Sequence, residues 1–451
     1  MVSSSLLQKY NVPTPRYTSY PTVPHWEGNL TESSWIDLVK KSYGEFGQEQ
    51  GISLYIHLPY CENLCTYCGC NKRITKNHAV ELPYIESVLK EWQHYLDILP
   101  QKPKLAGMHL GGGTPTFFSP EALTLLVSTI RSSTEVLPVA EFSFEGHPNN
   151  TTLEHLEALY AVGFTRVSYG IQDFDEKVQK AIHRIQPFEK VREATHNARN
   201  IGYDSVNFDL LYGLPHQTVE TITQTFNQVA GLKPDRIAFY SYAHVPHMFP
   251  AQKHFENFLP TEEEKRQLQE KGKALLVHMG YEEVGMDHFS LPQDPLFIAK
   301  NSGKLHRNFM GYTTSPSAML IGLGNSSISD IGYAYAQNNK EISSYKADIT
   351  LGKFPLQKGH IQTAEDQEIR QLILDIICQE KATWGTEFFL NLSQEVKDQL
   401  DEMVLDGLII YSKSGLQVTS SGKAWVRNIC SIFDKKLSRK KTSAFPFSKV
   451  V

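Results

Sequence analysis

The stretch YIHLPYCENLCTYCGC, residues 55–70, holds four of the six cysteines of this 451-residue chain. Cys61, Cys65 and Cys68 have the spacing C-x3-C-x2-C. Three thiolates on one short loop can bind a cluster of four irons and leave one iron open to a small ligand. The loop directly follows the apolar run SLYIHL (53–58), so we expect it at the carboxyl end of a strand, where parallel α/β folds place their active sites.

A structural zinc site is the alternative interpretation of the same cysteines. Zinc modules generally use two Cys or His pairs that are separated by a dozen or more residues, and no second pair follows here. Four thiols within ten residues are nevertheless able to bind zinc as a compact knot, and the sequence leaves this alternative open. Cys378 and Cys430 are isolated in apolar helical patterns, and we expect them to be buried and unpaired.

Six β-type runs alternate with helical patterns between about residues 50 and 245. This alternation predicts a parallel sheet, and the half-alternating polarity of the runs favours a partial (β/α)6 barrel over an open sheet. The runs are SLYIHL (53–58), KLAGMHL (104–110), EFSFE (141–145), TRVSYGIQ (165–172), SVNFDLLYG (205–213) and RIAFYSY (236–242).

The sequence predicts two further regions, one on each side of the region that holds the barrel. Residues 1–50 form an N-terminal arm in which four prolines interrupt any long element. Residues 51–360 hold the barrel and a loop-rich extension. The sequence of residues 361–451 predicts two amphipathic helices, a hairpin that turns at Ser414-Gly415 and a final helix. We therefore expect a small, mainly helical, winged-helix-like domain at the C-terminus.

Composition and charge exclude some classes of partner. The formal net charge is −5 and the sequence pI is about 6.4, so no global basic field indicates a nucleic-acid partner. No apolar run of membrane-spanning length occurs, and the first residues lack the apolar region of a signal peptide. We expect a protein of the cytoplasm with no membrane partner.

A glycine run and a set of polar residues follow the predicted strands. Gly111-Gly112-Gly113 ends the second run, and glycines there let backbone amides approach a ligand closely. The run lacks the Lys-Ser/Thr pair of a P-loop. Further polar residues at the strand ends predict a site along one rim of the sheet; they are Glu145, Gln172 and Asp209, with Arg184 a little beyond.

These motifs carry a resemblance to a known family. YIHLPYCENLCTYCGCNK, HLGGGTPT and YGLP, in this order, resemble the radical S-adenosylmethionine superfamily. More closely, and nearly from end to end, the chain resembles the oxygen-independent coproporphyrinogen III oxidases. Cys70 is typical of these oxidases, whereas their haem-chaperone relatives usually have another residue at this position. The further motifs are PRYTSYPT, YGIQDF, NFDLLYGLP, YAHVP, GMDHF, YAQN and RNIC.

The resemblance implies a barrel of the radical SAM type, a [4Fe-4S] cluster on Cys61, Cys65 and Cys68, and two molecules of S-adenosylmethionine (SAM). Cys70 is not a ligand in this pattern. The positions that match the first SAM site are Tyr55, Gly112, Glu145 and Ile328, of which Tyr55 and Glu145 are the implied catalytic residues. The positions that match the second are Tyr67, Gly113, Thr114, Gln172, Arg184, Asp209 and Ala243.

The implied reaction converts two propionates of coproporphyrinogen III to vinyl groups and yields protoporphyrinogen IX, through a 5′-deoxyadenosyl radical obtained from SAM. The protein orients these cofactors and excludes water and oxygen. An electron donor such as flavodoxin or ferredoxin and a monomeric state are also implied. Because the substrate carries four carboxylates, Arg16, Arg307 and the basic segment 435–441 are candidate binding groups.

Two positions depart from the family pattern. After Glu145 the family usually has a small or branched residue, then Asp or Asn, then Pro, whereas this chain has Gly146-His147-Pro148. Met310 stands where the family typically has glutamine, and a thioether cannot replace the donors and acceptor of an amide. These departures keep two alternatives open, which are a haem-binding chaperone and another radical SAM enzyme that acts on a tetrapyrrole.

Overall fold

Six parallel strands form the central sheet. In the computed structural model, which describes residues 4–315 and 317–438, each of these strands pairs with the next one along the chain, with helices between them. The prediction of a (β/α)6 arrangement is therefore confirmed. The strands are β1 (Ile52–Leu58), β2 (Lys104–Gly112), β3 (Glu135–Gly146), β4 (Arg166–Gln172), β5 (Ser205–Tyr212) and β6 (Arg236–Ser241).

Strand β3 begins six residues earlier than the predicted run. Its first residues are mostly exposed, and buried and half-buried side chains alternate only from Phe142 onward. Glu135 nevertheless pairs in register with Lys104 of β2. Because hydrophobic alternation marks only the part of a strand with one buried face, the exposed half of β3 leaves no signal in the sequence.

The sheet continues beyond β1 through four strands that the sequence analysis did not predict. The first of them pairs in parallel with β1, and the others are antiparallel to their neighbours. They are short, and they follow one another in chain order away from β1. These strands are β7 (Leu320–Leu323), β8 (Ile328–Asp330), β9 (Ala334–Asn338) and β10 (Leu356–Ile361).

Threonine caps begin several helices of the chain. Thr31, Thr152, Thr218, Thr261 and Thr363 each accept a hydrogen bond from a backbone N–H of the first turn, in a capping box. These boxes fix where the helices start. The longer helices around the sheet are Glu32–Ser42, Glu81–Ile98, Pro120–Ser132, Leu153–Ala161, Phe188–Ile201, Val219–Leu232, Glu262–His278 and Ile342–Thr350. Among the described residues, none of the helices has the length and apolar character that a membrane crossing requires.

The chain divides into two compact units. The larger unit comprises Glu27–Met279 and Ser315–Ile361 and contains β1 to β10. The smaller unit comprises the segment that ends at Trp26, Gly280–Thr314 and the segment that begins at Gln362. These boundaries differ from the predicted regions 1–50, 51–360 and 361–451, and those regions stay a prediction about domains.

The C-terminal part of the smaller unit has the predicted mixture of helices and a hairpin. The helices are Ala364–Gln379, Gln394–Leu405 and Val426–Ile432. Strands Ile409–Ser412 and Gly415–Val418 form the hairpin, so its turn is Lys413-Ser414, one residue before the predicted position. A third strand, Lys381–Thr383, pairs with the hairpin, as a winged-helix-like module requires. Two short hairpins precede this part, at Glu282–Gly285 with His288–Ser290 and at His306–Asn308 with Gly311–Thr313.

One apolar core fills the smaller unit. Cys378 and Cys430 are 4% and 0% exposed within it, which confirms that both thiols are buried and unpaired. Trp425 and Leu400 are fully buried in the same cluster. The N-terminal segment contributes Tyr10 to this core, so its apolar residues are part of a packed unit.

Candidate functional site

The cysteine loop is closed at its base by a short parallel ladder. After β1 ends at Leu58, Tyr60–Cys61 pairs with Arg73–Ile74. The backbone N–H of Arg73 donates to Pro59 O at 2.8 Å, which clamps the two ends of the loop together. The loop therefore stands at the carboxyl end of β1, as the sequence predicts.

A cavity of about 1040 Å³ opens over this loop and the carboxyl ends of the strands, and it lies entirely within the larger unit. Most of the predicted site residues line it, although they come from seven separate segments of the chain. Tyr55 and Ile328 do not line it. The predicted residues in the lining are Cys61, Cys65, Tyr67, Cys68, Gly112, Gly113, Thr114, Glu145, Gln172, Arg184, Asp209 and Ala243.

The glycine run after β2 lies against the backbone of the cysteine loop. A Cβ atom at Gly113 would stand 2.6 Å from the carbonyl carbon and oxygen of Pro59 and 2.8 Å from Tyr60 O. Gly112 has φ +114°, a conformation that side-chain-bearing residues rarely adopt. The Gly113 N–H donates to Leu58 O at 2.9 Å. Only glycine permits this approach, which leaves backbone groups of the run at the cavity wall.

Glu145 presents its carboxylate to the cavity beside the glycine run. Its Oε2 accepts the backbone N–H of Gly112 at 3.2 Å, and its Oε1 lies 3.6 Å from His109 Nε2. The side chain is 46% exposed, and that exposed part faces the cavity it lines. Burial alone would raise the pKa of this carboxyl, but His109 and the Gly112 N–H outweigh that effect and hold the pKa below its usual value. Glu145 is therefore an anion with room for a cationic ligand.

Tyr55 supports this arrangement from behind the glycine run. Its ring stacks on His109 with centroids 6.0 Å apart, and its hydroxyl lies 3.1 Å from His57 Nδ1. His57 Nε2 donates to Asn71 O at 2.9 Å, so Nδ1 accepts a hydrogen bond from the Tyr55 hydroxyl. Burial lowers the pKa of His57, which keeps the ring neutral. The hydrogen bonds from Tyr55 to His57 and from His57 to Asn71 link β1 to the far end of the cysteine loop.

Ile328 lies on β8, which is separated by β7 from β1, the strand of Tyr55. Tyr55 is in register with Gly322 of β7, and a Cβ atom at Gly322 would stand 2.6 Å from Ile328 O. The Ile328 residue is half-buried at the start of β8. The predicted first-site residues Tyr55 and Ile328 therefore both adjoin Gly322 of β7, and neither is part of the cavity lining.

Arg184 joins β4 to the cysteine loop. Its Nε and Nη2 donate to Gly170 O at 3.2 and 2.6 Å, and its Nη1 donates to Cys65 Sγ at 3.4 Å. A Cβ atom at Gly170 would stand 2.7 Å from Gln172 Nε2 and 3.0 Å from Arg184 Nη2, so glycine makes room for both side chains. The backbone N–H of Thr66 also donates to Ile182 O at 3.1 Å. The structure therefore brings Arg184 and Cys65, 119 residues apart in sequence, into direct contact.

The thiols differ in their surroundings. Burial raises the pKa of the Cys61 thiol to about 11, although the Thr114 hydroxyl, which donates to its sulfur at 3.3 Å, opposes the shift. A hydrogen bond from Cys70 lowers the pKa of the Cys68 thiol. Lys72 Nζ donates to Cys68 O at 2.9 Å. Thiolate character is thus supported at Cys68, as ligation to iron requires.

Three thiols on one wall of a cavity with a cation beside them are suited to a cluster of four irons. The sulfur ligands of such a cluster stand farther apart than the ligands of one ion. Within residues 4–315 and 317–438 no three His, Cys, Asp or Glu side chains are arranged to hold a single metal ion. Arg184 and Lys72 provide positive charge next to the thiols, which compensates an anionic thiolate-bound group.

Asp209 lies on the same rim, at β5. Burial, and then the charge of Glu145, raise the pKa of its carboxyl to about 7, against the hydrogen bond from Ser168 Oγ at 3.4 Å. A raised pKa in the folded state means that ionisation of Asp209 costs stability, and the cost grows as pH rises from about 4 to about 7. At acid pH the group is neutral in both states and costs nothing.

We expect Asp209→Asn to stabilise the cluster-free protein at pH 8 by roughly 1–3 kcal/mol and to have almost no effect near pH 4. The amide keeps the oxygen that accepts from Ser168 and removes the buried charge. Urea unfolding at both pH values measures the effect. Equal stabilisation at both pH values would contradict this explanation, because a neutral carboxyl and an amide differ little.

Several residues of the site were missed by the sequence analysis. His57 and His109 hold Tyr55 and Glu145. The Tyr84 hydroxyl lies 2.8 Å from two acceptors, His57 O and Asn325 Oδ1. A signal was available for two of them. Tyr55 and His57 alternate along β1 and so share one face of the sheet, and His109 and Gly111 do the same along β2. Nothing in the sequence indicated Tyr84 or Asn325.

The departures from the family pattern have distinct places. Gly146 is buried, and its Cβ atom would meet Thr151 Oγ1 and a Tyr169 ring carbon at 2.9 Å, so neighbouring side chains fill the space. His147 lines the cavity. Met310 belongs to the smaller unit, is 38% exposed, and donates its N–H to Asn308 Oδ1 at 2.9 Å.

The candidate substrate-binding cations also belong to the smaller unit. Arg16 forms an ion pair with Asp287. Arg307 is 8% exposed and lies over the Tyr312 ring, 4.7 Å from its centroid. Lys435 pairs with Glu365 at 2.5 Å. Residues 439–441 of the basic segment lie outside the described residues, and the role of all these cations stays a prediction.

Known proteins resemble this chain in sequence and in fold. The model of the radical SAM superfamily matches residues 55–229. An oxygen-independent coproporphyrinogen III oxidase of Escherichia coli (strain K12) is 36% identical over 99% of this chain and 98% of its own length. One of Pseudomonas aeruginosa is 36% identical over 96% of both chains. The solved structure of the coproporphyrinogen III oxidase from Escherichia coli, a radical SAM enzyme, covers 96% of this chain and 99% of its own, with a TM-score of 0.90 and 34% identity.

Proposed function

The chain belongs to the oxygen-independent coproporphyrinogen III oxidases of the radical SAM superfamily, and from this premise we propose how its own residues carry the reaction. The protein is an oxidoreductase of haem biosynthesis that acts on coproporphyrinogen III and uses a [4Fe-4S] cluster and SAM. It converts two propionates to vinyl groups. Cys61, Cys65 and Cys68 hold the cluster. The observation that carries this assignment is that one cavity collects these thiols, the glycine run, Glu145 and Arg184.

The first SAM molecule binds between the cluster loop and the glycine run. Glu145 accepts hydrogen bonds from its ammonium group, because the carboxylate is ionised and faces the cavity. Tyr55 and His109 hold Glu145 and the glycine run in place. Ile328 belongs to the same proposed site. When bound, the cluster and SAM would supply a carbon-centred radical for the abstraction of a hydrogen atom from a substrate propionate.

The second SAM molecule binds along the rim that β4, β5 and β6 form. The residues that would contact it are Tyr67, Gly113, Thr114, Gln172, Arg184, Asp209 and Ala243, all of which line the cavity. The volume of about 1040 Å³ lies at the upper end of the usual range for ligand pockets and is compatible with more than one bound cofactor. Arg184 is held by Gly170 O, and its cationic Nη1 reaches the cluster loop.

The partners and location complete the proposal. A one-electron carrier such as flavodoxin or ferredoxin reduces the cluster. The chain works as a monomer in the cytoplasm, and nucleic acid is not a partner, in line with a net charge of −5. Sedimentation of the cluster-loaded protein tests whether it is monomeric, and a faster-sedimenting dimer would refute the proposal of a monomer.

The central test is a reaction under anaerobic conditions. The cluster-loaded protein is incubated with SAM, a reductant, coproporphyrinogen III and an electron acceptor, and porphyrins are separated after oxidation. We expect protoporphyrin together with 5′-deoxyadenosine, and neither product with Cys65→Ser. Cys378→Ala changes a thiol of the smaller unit and is the matched control, which should keep its iron content.

The other outcomes identify the alternatives. SAM cleavage without a vinyl product would show that the cluster chemistry is present and that the substrate is another tetrapyrrole. Stable haem binding with an intact cluster and no decarboxylation would assign it to haem handling. Zinc in place of iron after anaerobic purification would overturn the cluster assignment itself.

A further inference from the structure

His147 stands at the end of β3, two residues after Glu145, on the wall of the same cavity. Its Nδ1 accepts the backbone N–H of Asn149 at 3.2 Å. In a neutral imidazole one nitrogen accepts while the other carries the hydrogen, so this hydrogen bond assigns the proton of His147 to Nε2. His147 therefore has one N–H donor that the turn after β3 does not use.

The same residue is close enough to Arg184 for the Arg184 charge to act on it. Asn149 Nδ2 donates to Ile185 O at 2.9 Å, which ties the turn after β3 to the segment that carries Arg184. Burial, and then the Arg184 charge, lower the pKa of His147 to about 2, so the ring stays neutral at every working pH. A neutral donor and a cation thus line the same cavity.

Arg184 has a fixed orientation there. Gly170 O accepts from two of its nitrogens, and Nη1 points to Cys65 Sγ. Asp209, an acidic side chain on the same rim, has a raised pKa and does not carry a full compensating charge at neutral pH. The wall is therefore suited to an anionic group that takes one hydrogen bond from a neutral donor and charge from a guanidinium.

We propose that His147 is a binding residue for a carboxylate, through its Nε2–H and together with Arg184, and that this carboxylate is the one on the methionine part of the second SAM molecule. The inference rests on the proposed function, because it requires that a second SAM molecule binds along this rim. A propionate of the substrate offers the same chemistry, so the test separates the two sources.

The test measures SAM binding to the cluster-loaded protein by equilibrium dialysis, together with the electron paramagnetic resonance spectrum of the reduced cluster. We expect two SAM molecules per wild-type chain. In His147→Phe, which keeps a flat ring and removes the donor, we expect the second binding event to weaken about tenfold or more, since a hydrogen bond to a charged group is lost. The spectral change on SAM binding to the cluster should remain.

Two further variants keep the result interpretable. His147→Asn retains an N–H donor and an oxygen, and we expect its second SAM affinity to lie within about threefold of wild type, which would not follow from a merely structural role. His196→Phe changes an exposed histidine on helix Phe188–Ile201 and should bind two molecules normally. Iron content and circular dichroism of each variant report on folding.

Three results would overturn the inference. Unchanged second-site affinity in His147→Phe would remove the residue from the binding set. Loss of the spectral change would assign His147 to the first SAM molecule. Normal binding of two SAM molecules with a tenfold higher KM for coproporphyrinogen III would assign the carboxylate to a substrate propionate. If the wild-type protein binds only one SAM molecule, the two-SAM part of the proposed function is refuted. The wild-type measurement alone therefore distinguishes this failure from a failure of the inference about His147.

Discussion

Glu145→Gln should weaken binding of the first SAM molecule by about ten- to a hundredfold, because a hydrogen bond between charged groups contributes about 1.5–3 kcal/mol and the amide carries no charge. The substitution keeps the shape of the side chain and an oxygen that accepts the Gly112 N–H, so the fold should persist. The dissociation constant of SAM from the cluster-loaded protein measures the effect. The exposed Glu189→Gln on helix Phe188–Ile201 is the control and should bind normally.

The pH dependence adds a second check on Glu145. Since His109 and Gly112 hold its pKa below the usual value, the carboxylate stays ionised throughout the neutral range. Its contribution to folding stability is present above the pKa of the unfolded state. That contribution is lost only as pH falls through the lower pKa of the folded state. Wild-type affinity for SAM should therefore show no titration from this group between about pH 6 and pH 8. An affinity in Glu145→Gln equal to wild type would contradict the role of the charge.

Gly113→Ala should lower the rate of 5′-deoxyadenosine formation by about a hundredfold or more, since displacement of a reactive site by about 1 Å is enough for such a loss. The added Cβ would meet the backbone of Pro59 and Tyr60 at 2.6 to 2.8 Å, and backbone atoms cannot rotate away as a flexible side chain can. The cluster loop must move outward. Overpacking of this kind also costs about 1–3 kcal/mol of unfolding free energy.

Iron and sulfide content, thermal unfolding and the rate of SAM cleavage together report on Gly113→Ala. Gly231→Ala is the matched control, because a Cβ atom at Gly231, in helix Val219–Leu232, has no neighbour within 4 Å. That variant should be as stable as wild type or slightly more so. Wild-type cluster content and cleavage rate in Gly113→Ala would show that the close approach of the glycine run to the cysteine loop is dispensable.

Local patterns predicted much of the fold and part of the site. The six strands, the cysteine loop after β1 and the amphipathic C-terminal helices depend on residues that are neighbours in the chain, so hydrophobic period and spacing reveal them. The exposed start of β3 and the short strands β7 to β10 have no such period, and only pairing with distant strands makes them part of the sheet.

The site divides in the same way between sequence and tertiary structure. The sequence by itself determined which side chains are present to bind a cluster and a sulfonium cofactor: three thiols at fixed spacing, a glycine run and strand-end polar residues. Only the tertiary structure decided which of them meet. Arg184 reaches Cys65 across 119 residues, and Tyr84 bonds Asn325 across 241. Such contacts, and the pKa values that burial and neighbours impose on Glu145, His147 and Asp209, depend on distances in space that no local pattern contains.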